Sequence, residues 1–288
     1  MRDRSLPAFT EEGGNIKLRP LDEGFREPSA PLQRFVAQAR FALGRSPSSV
    51  RVLDVGCGRG DTVAWLCEQG YDAYGVDVRA DYLDMGRGFL DRVGHGGGRL
   101  REVVDDRYPF DDGSFDVVLS DQVLEHVVDL DAFAREVARV GAPGSTGLHL
   151  FPARWRPVEV HMKTPLVHWL PKGRARRVAL HAVLGLGGGA SYFDDLALGD
   201  RVEVFAHYAD TETFYRPLST IRAAFARQRM RVDVARPSRE RVASRLPAIP
   251  EAIRPAAGLV YRTMFSACLE TVLPVLPPRP DGVRQVSR

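Results

Sequence analysis

The sequence predicts an α/β protein built on a doubly wound, mostly parallel sheet with helices on both faces. From Val50 onward, short apolar runs alternate with stretches of helical periodicity, the pattern of strands joined by crossover helices. The first run, Val50-Arg-Val-Leu-Asp-Val, passes through Asp54 into Gly56, Gly58 and Gly60 and then into a helical stretch from Asp61. A turn with glycine at alternate positions has almost no side chains, so a bulky ligand can approach its backbone.

The elements follow in order. Residues 1–30 mix proline, glycine and charge without sustained periodicity and read as a loose arm covering the domain. A helix is expected over 31–43, where Leu32, Phe35, Val36 and Ala39 form a broad apolar face able to close over a ligand. Strands are expected near 50–55, 73–77, 100–104, 115–120 and 146–151, and helices near 61–69, 80–91 and 131–140. After Pro152 the regular pattern stops, to resume as a helix over 217–229 and a strand over 231–235. The segment 152–216 therefore reads as an insertion leaving the carboxyl edge of the sheet, where ligands bind in open α/β folds. The domain spans 31–238 on this reading, and 239–288 is a Pro/Arg-rich tail with one apolar helix over 256–273.

Composition narrows the function classes. With 288 residues and 44% apolar content the chain can bury a full core. The net charge of +3, with acids and bases interleaved, gives no support to a nucleic-acid partner. Positive charge comes from arginine, with lysine only at Lys17, Lys163 and Lys172, a bias we read as GC-rich coding. Cys57, Cys67 and Cys268 are too few for a disulfide framework or a zinc cluster and suit a reducing cytoplasm. The N-terminal residues lack a secretory apolar core, and no apolar run reaches the roughly eighteen residues of a membrane span.

The glycine spacing separates two ligand classes. Dinucleotide sites use G-x-G-x-x-G to set a pyrophosphate on a helix N-terminus. Here an acid leads into G-x-G-x-G, and a carboxylate before the loop suits a cationic ligand. About twenty residues on, Tyr71-Asp-Ala-Tyr-Gly-Val-Asp-Val ends a second strand at Asp77, as in sites that hold ribose hydroxyls. Further on, Pro109-Phe-Asp-Asp-Gly-Ser-Phe-Asp-Val-Val-Leu-Ser-Asp-Gln-Val-Leu-Glu-His-Val places a turn and a Phe-Asp pair before a buried strand. In this order, across Val50 to Pro152, these stretches resemble the class I S-adenosylmethionine-dependent methyltransferase family, in the manner of its type 11 and type 23 domains. The resemblance implies a Rossmann-like sheet of the seven-stranded type and S-adenosylmethionine as cofactor.

It also implies site residues. Asp54, Gly56, Cys57 and Gly58 are expected to hold the methionine part of the donor, with Asp54 on the ammonium. Asp77 takes the ribose hydroxyls, Val78 packs on the adenine, and Asp105 (or its neighbour Asp106) accepts from the adenine amine. Asp121 and Gln122 face the reacting methyl or the methionine moiety. Cys57 has no activating base nearby in sequence and is read as a loop residue rather than a nucleophile.

Methyl transfer displaces a sulfonium, so positioning supplies much of the rate, and a base matters only for a weakly acidic acceptor such as a hydroxyl. Two histidines are candidates. His126 follows Glu125 after the fourth strand, and His161 lies in the insertion with Glu159 and His168, where a Glu-x-His pair can orient a neutral imidazole. Those three match no strong zinc pattern, so no metal ligand is assigned. Trp155, Trp169, Tyr192, Tyr208 and Tyr215 read as a minor core of the insertion or as the wall of an acceptor pocket. The basic run Lys172-Gly-Arg-Ala-Arg-Arg177 reads as a solvated helix face or as a contact for an anionic acceptor or membrane surface. The expected function is methyl transfer to a small-molecule, glycan or lipid-linked acceptor, at oxygen, with peripheral membrane contact in play; the oligomeric state is left open. The rival classes are a methyltransferase-fold binding module without activity and, less favoured by the glycine spacing, a nicotinamide-dependent dehydrogenase.

Overall fold

A computed structural model describes residues 25–275 apart from Tyr192. Most of the arm assigned to 1–30 lies outside the described residues. Helix α1 (Ala30–Leu43) leads through a short turn into β1 (Arg51–Val55), α2 (Asp61–Glu68), β2 (Asp72–Asp77), α3 (Ala80–Arg92), β3 (Leu100–Glu102), β4 (Phe115–Asp121), α4 (Leu130–Val140) and β5 (Gly141–Pro152). Then follow α5 (Arg174–Gly185), α6 (Leu198–Thr211), α7 (Leu218–Arg227), β6 (Arg231–Asp233), α8 (Ala235–Arg245), α9 (Arg254–Met264) and β7 (Ser266–Val272).

The seven strands run in the order β3-β2-β1-β4-β5-β7-β6. All neighbours are parallel except those of β7, which is antiparallel to β5 and to β6. Strand alternation divides the core. Val52, Val117, Leu119, Leu148 and Leu150 face a layer containing Leu32 and Phe35 of α1, Leu66 of α2 and Leu83 of α3. Leu53, Val55 and Val118 face Phe133 and Val137 of α4 and Phe225 of α7. A side-chain period of two thus turns nearly continuous apolar runs into two buried faces, as a doubly covered sheet requires. The order reverses between β1 and β4, and the carboxyl ends at that point open the crevice where such folds bind ligands.

The tail differs from expectation. The apolar helix expected over 256–273 is instead α9, which ends at Met264, followed by β7, which enters the sheet between β5 and β6. Five consecutive residues of β7, Ala267 to Thr271, are buried, so the strand lacks the alternation that would separate it from a buried helix. Leu150 pairs with Cys268 and Leu148 with Glu270, so the sheet domain extends past residue 238 to Val272. Helix α9 buries Gly258 and Tyr261 and leaves Leu259 and Val260 exposed.

The insertion is a small helical unit with its own core. Val202, Phe205, Ala206 and Ala209 of α6 pack with Leu180 and Leu184 of α5 and with Met162 and Val167. Of the basic run at the start of α5, Arg176 belongs to this packing, whereas Lys172 and Arg174 are exposed and Arg177 is half-buried. Arg176 is buried and donates from Nη1 to the Ala209 carbonyl at 2.6 Å and from Nη2 to the Leu170 carbonyl at 2.7 Å. Lys172 Nζ donates to the Asp210 carbonyl at 2.6 Å. Among the described residues no helix is long and apolar enough to cross a membrane.

Candidate active site

The crevice is built from the ends of three adjacent strands. After β1 the chain turns back on β2, with the amides of Gly56 and Cys57 both donating to the Val76 carbonyl, at 2.8 and 3.0 Å. Gly56, Gly58 and Gly60 all have φ between +54° and +80°, the left-handed region that glycine enters at least cost. Their surroundings differ. A Cβ on Gly56 would lie 2.4 Å from a Val123 methyl, whereas one on Gly58 would have nothing nearer than Tyr82 at 3.9 Å. The loop is packed at Gly56 and open at Gly58, so the open position is the face a ligand can approach. Cys57 is buried against Gly75, whose Cβ would meet its sulfur at 2.6 Å, and burial with the nearby Asp54 and Asp77 charges pushes its thiol well up. That thiol is inert, as a buried structural cysteine is.

Three carboxylates meet around this loop. Asp77 Oδ2 accepts from the Gly58 amide at 2.8 Å and Oδ1 from the Arg79 amide at 2.9 Å. Asp54 is buried, and desolvation, reinforced by the charges of Asp121 and Asp77, pushes its pKa up to about 8 against a hydrogen bond from Thr62. Burial likewise raises Asp121, opposed by Gln122, Arg241 and Ser29. Mutual repulsion among buried acids is relieved by a bound cation, so the donor set fits the ammonium and sulfonium of S-adenosylmethionine. Ser29, just before α1, donates to Asp121 Oδ2 at 3.4 Å, which brings the start of that helix over the crevice.

The remaining donor candidates are placed as follows. Val78 is 71% exposed at the end of β2, an apolar surface beside Asp77 with no protein over it. Asp105 and Asp106 lie in an exposed turn after β3, both with positive φ. Gln122 also has positive φ, at 59°, and its amide donates to the Leu150 carbonyl at 2.8 Å. A non-glycine residue held left-handed at a strand end marks a backbone shaped by its site.

The two histidine candidates, 35 positions apart by their numbers, come together. His126 sits in the turn after β4 rather than at a helix start, and its ring centroid lies 5.0 Å from that of His161 in an edge-to-face arrangement. His126 Nδ1 is 2.8 Å from the Glu212 carbonyl. Burial, then the neighbouring His126 and Lys163, pushes His161 down to about 3, so the ring stays neutral. Tyr208 of α6 packs against both rings.

The expected Glu159–His161 pairing takes a different form. Glu159 Oε2 accepts from the backbone amides of His161 and Met162, and Oε1 accepts from the Tyr215 hydroxyl, so Glu159 holds the turn rather than the imidazole. The carboxylate that His161 Nε2 faces is that of Glu125, whose Oε1 lies 3.9 Å away, beyond hydrogen-bond distance. Sequence reasoning passed over Glu125 although it adjoins His126; its one signal was a carboxylate in an otherwise apolar strand-end segment. His168 is buried 5.0 Å from the Tyr215 ring, and desolvation pushes it down to about 4. Trp155 and Trp169 pack edge to face on one another, 5.7 Å apart, while Tyr192 lies outside the described residues.

Comparison with known proteins places this architecture. The family described as a methyltransferase domain matches residues 53–148. Norajmaline N-methyltransferase from Rauvolfia serpentina is 33% identical over 140 residues, covering 43% of this chain and 48% of that protein. Demethylmenaquinone methyltransferase from Roseiflexus castenholzii is 38% identical over 128 residues, covering 43% and 52%. The chain thus spans about half the length of the curated relatives it matches. Among solved structures, geranyl diphosphate C-methyltransferase from Streptomyces coelicolor A3(2) aligns with a TM-score of 0.46 at 17% identity, over 84% of this chain and 77% of that one. Residues 53–148, with their glycine loop and the strands around it, form a methyltransferase domain of the class I S-adenosylmethionine-dependent kind.

Proposed function

We propose that the protein transfers the methyl group of S-adenosylmethionine to a small-molecule acceptor, at oxygen. The observation that carries the donor half is the convergence of Asp54, Asp77 and Asp121 at the ends of β1, β2 and β4 beside the open backbone of Gly58. Asp54 takes the donor ammonium, Asp77 the ribose, and Val78 the adenine face, with Asp105 at the adenine amine and Asp121 and Gln122 toward the methyl. The donor supplies an activated methyl, and these residues orient it.

On the acceptor side, His126 and His161 face the substrate under the insertion. The buried Nε2 of His161 has no hydrogen-bond partner among the described residues and offers a lone pair to an acceptor hydroxyl, which supports oxygen over nitrogen. Two relatives are named for small acceptors, norajmaline and demethylmenaquinone. A glycan or lipid-linked acceptor loses its main support, because Lys172 and Arg176 bond to backbone carbonyls of the insertion. Any peripheral membrane contact would form at the exposed Leu259, Val260 and Phe265. A cytoplasmic location is part of the same proposal, in keeping with three free thiols.

Calorimetric titration with S-adenosylmethionine, S-adenosylhomocysteine and NAD, with Asp77→Ala as control, tests the donor half. Binding of the sulfur compounds alone, lost in the variant, supports it; NAD binding or none at all overturns it. A screen of small hydroxylated acceptors with methyl-labelled donor then tests the acceptor half.

A further inference from the structure

Glu125, His126 and His161 bring three metal-binding side chains, one carboxylate and two imidazoles, to one point from two segments, the turn after β4 and the turn after β5. One ligand atom from each lies within 4.8 Å of the others. Glu125 is 3% exposed, the His161 side chain 13%, and His126 is half-buried.

The two rings are already arranged for ligation. The Glu212 carbonyl can only accept, so His126 Nδ1 carries the proton and Nε2 keeps its lone pair. A backbone carbonyl on the far nitrogen is the usual way a ligating histidine is oriented. The Nε2 of His161 is buried without a hydrogen-bond partner among the described residues and faces the Glu125 carboxylate at 3.9 Å. Glu159 fixes the backbone that carries this ring, and Tyr215 fixes Glu159.

We propose that Glu125, His126 and His161 bind a divalent transition-metal ion, with Zn²⁺ the first candidate, leaving open coordination positions for the acceptor oxygen. Two imidazoles and one glutamate with an open position form a donor set of catalytic zinc sites. Atoms bound to one zinc at about 2.0–2.2 Å stand closer together than these do, so the side chains close on the ion by small rotations.

The inference rests on methyl transfer to oxygen; with the ion on His161 Nε2, the metal takes the place of that imidazole as the group that activates the acceptor hydroxyl. A hydroxyl bound to the ion becomes more acidic and releases its proton to solvent. Its oxygen then bonds to the donor methyl carbon, and the electron pair of the breaking carbon–sulfur bond passes to sulfur, leaving S-adenosylhomocysteine.

The test uses the whole chain, stripped with a chelator and titrated with Zn²⁺ against a chromophoric competitor. One equivalent should bind, and affinity should fall by about tenfold or more in His161→Ala and in Glu125→Gln, while circular dichroism and S-adenosylhomocysteine affinity stay unchanged. Co²⁺ in the wild-type protein should give the intense visible bands of a four- or five-coordinate site, a readout that stands even where a variant fails to fold. No stoichiometric Zn²⁺ binding, undiminished binding in both variants, or only the faint bands of six-coordinate Co²⁺ overturns the proposal. Donor affinity, measured without metal, reports separately on the methyltransferase reading.

Discussion

Asp77 Oδ2 accepts a hydrogen bond from the Gly58 amide at 2.8 Å, so one carboxylate at the end of β2 holds the glycine loop that follows β1. The residue expected to bind the donor ribose therefore also shapes the loop that receives the rest of the donor. Hydrogen bonds to charged groups are worth about 1.5–3 kcal/mol each, so Asp77→Ala should weaken S-adenosylhomocysteine binding roughly ten- to hundredfold or abolish it. Asp77→Asn keeps an acceptor for Gly58 and should retain more of the affinity. Calorimetry on both variants, with Tm as the fold control, checks the order.

Gly56 and Gly58 should respond differently to one added methyl. At Gly56 the new Cβ meets Val123 at 2.4 Å, so Gly56→Ala should lower Tm as well as donor affinity. At Gly58 the space is open, and left-handed strain alone costs about 1–2 kcal/mol. Gly58→Ala should lose donor affinity out of proportion to its small change in Tm. Equal losses of stability in the two variants would show that the loop opens elsewhere.

Asp54 should make the ligand-free protein less stable as pH rises. An acid raised from 3.8 to about 8 in the folded state binds its proton more tightly there than when unfolded. Its contribution is complete below the ordinary value and is lost as pH climbs toward 8. Thermal melts of wild type against Asp54→Asn should diverge over that window. A cationic donor favours the ionised carboxylate, so binding near pH 7 should release a proton, read as a binding heat that varies with the buffer's heat of ionisation.

His149 should act in the opposite direction. It lies wholly buried in β5, 2.9 Å from Ser120 Oγ through Nδ1, and desolvation pushes it from 6.5 down to about 3. A base lowered by folding stabilises the native state above its ordinary value and gives that stability up as pH falls from 6.5 toward 3. His149→Asn should flatten this acid limb in melts from pH 3 to 7.

Arg176 should hold the insertion together without touching the donor site. Removing a buried guanidinium leaves the Leu170 carbonyl without this donor, at about 1–3 kcal/mol for a group left unsatisfied, and leaves the Ala209 carbonyl with the Thr213 hydroxyl at 3.2 Å. Arg176→Ala should speed amide exchange and proteolysis within α5 and α6, while S-adenosylhomocysteine affinity changes little.

The alternation of apolar runs with helical stretches, and Asp54-x-Gly-x-Gly-x-Gly with Asp77 downstream, were enough to read the sheet and the class of the donor, while the strand order and its switch point came from the fold. Those are local features, because a strand's period and a glycine turn are written within a few consecutive residues. Three things waited for the tertiary structure. Strand β7 was not legible as a strand, because Ala267 to Thr271 are all buried, the polar Glu270 and Thr271 among them, and the alternation that marks a strand is missing. Helix α6 does repeat apolar residues at 202, 205, 206 and 209, but its core partners in α5 and at Met162 make sense only once folded. The juxtaposition of His161 with Glu125 in place of Glu159 was not written in any spacing, since the two come from separate segments brought together by the insertion folding over β4. Local pattern reports what a segment does with its own backbone and one buried face, whereas a site between segments exists only in the packing that joins them.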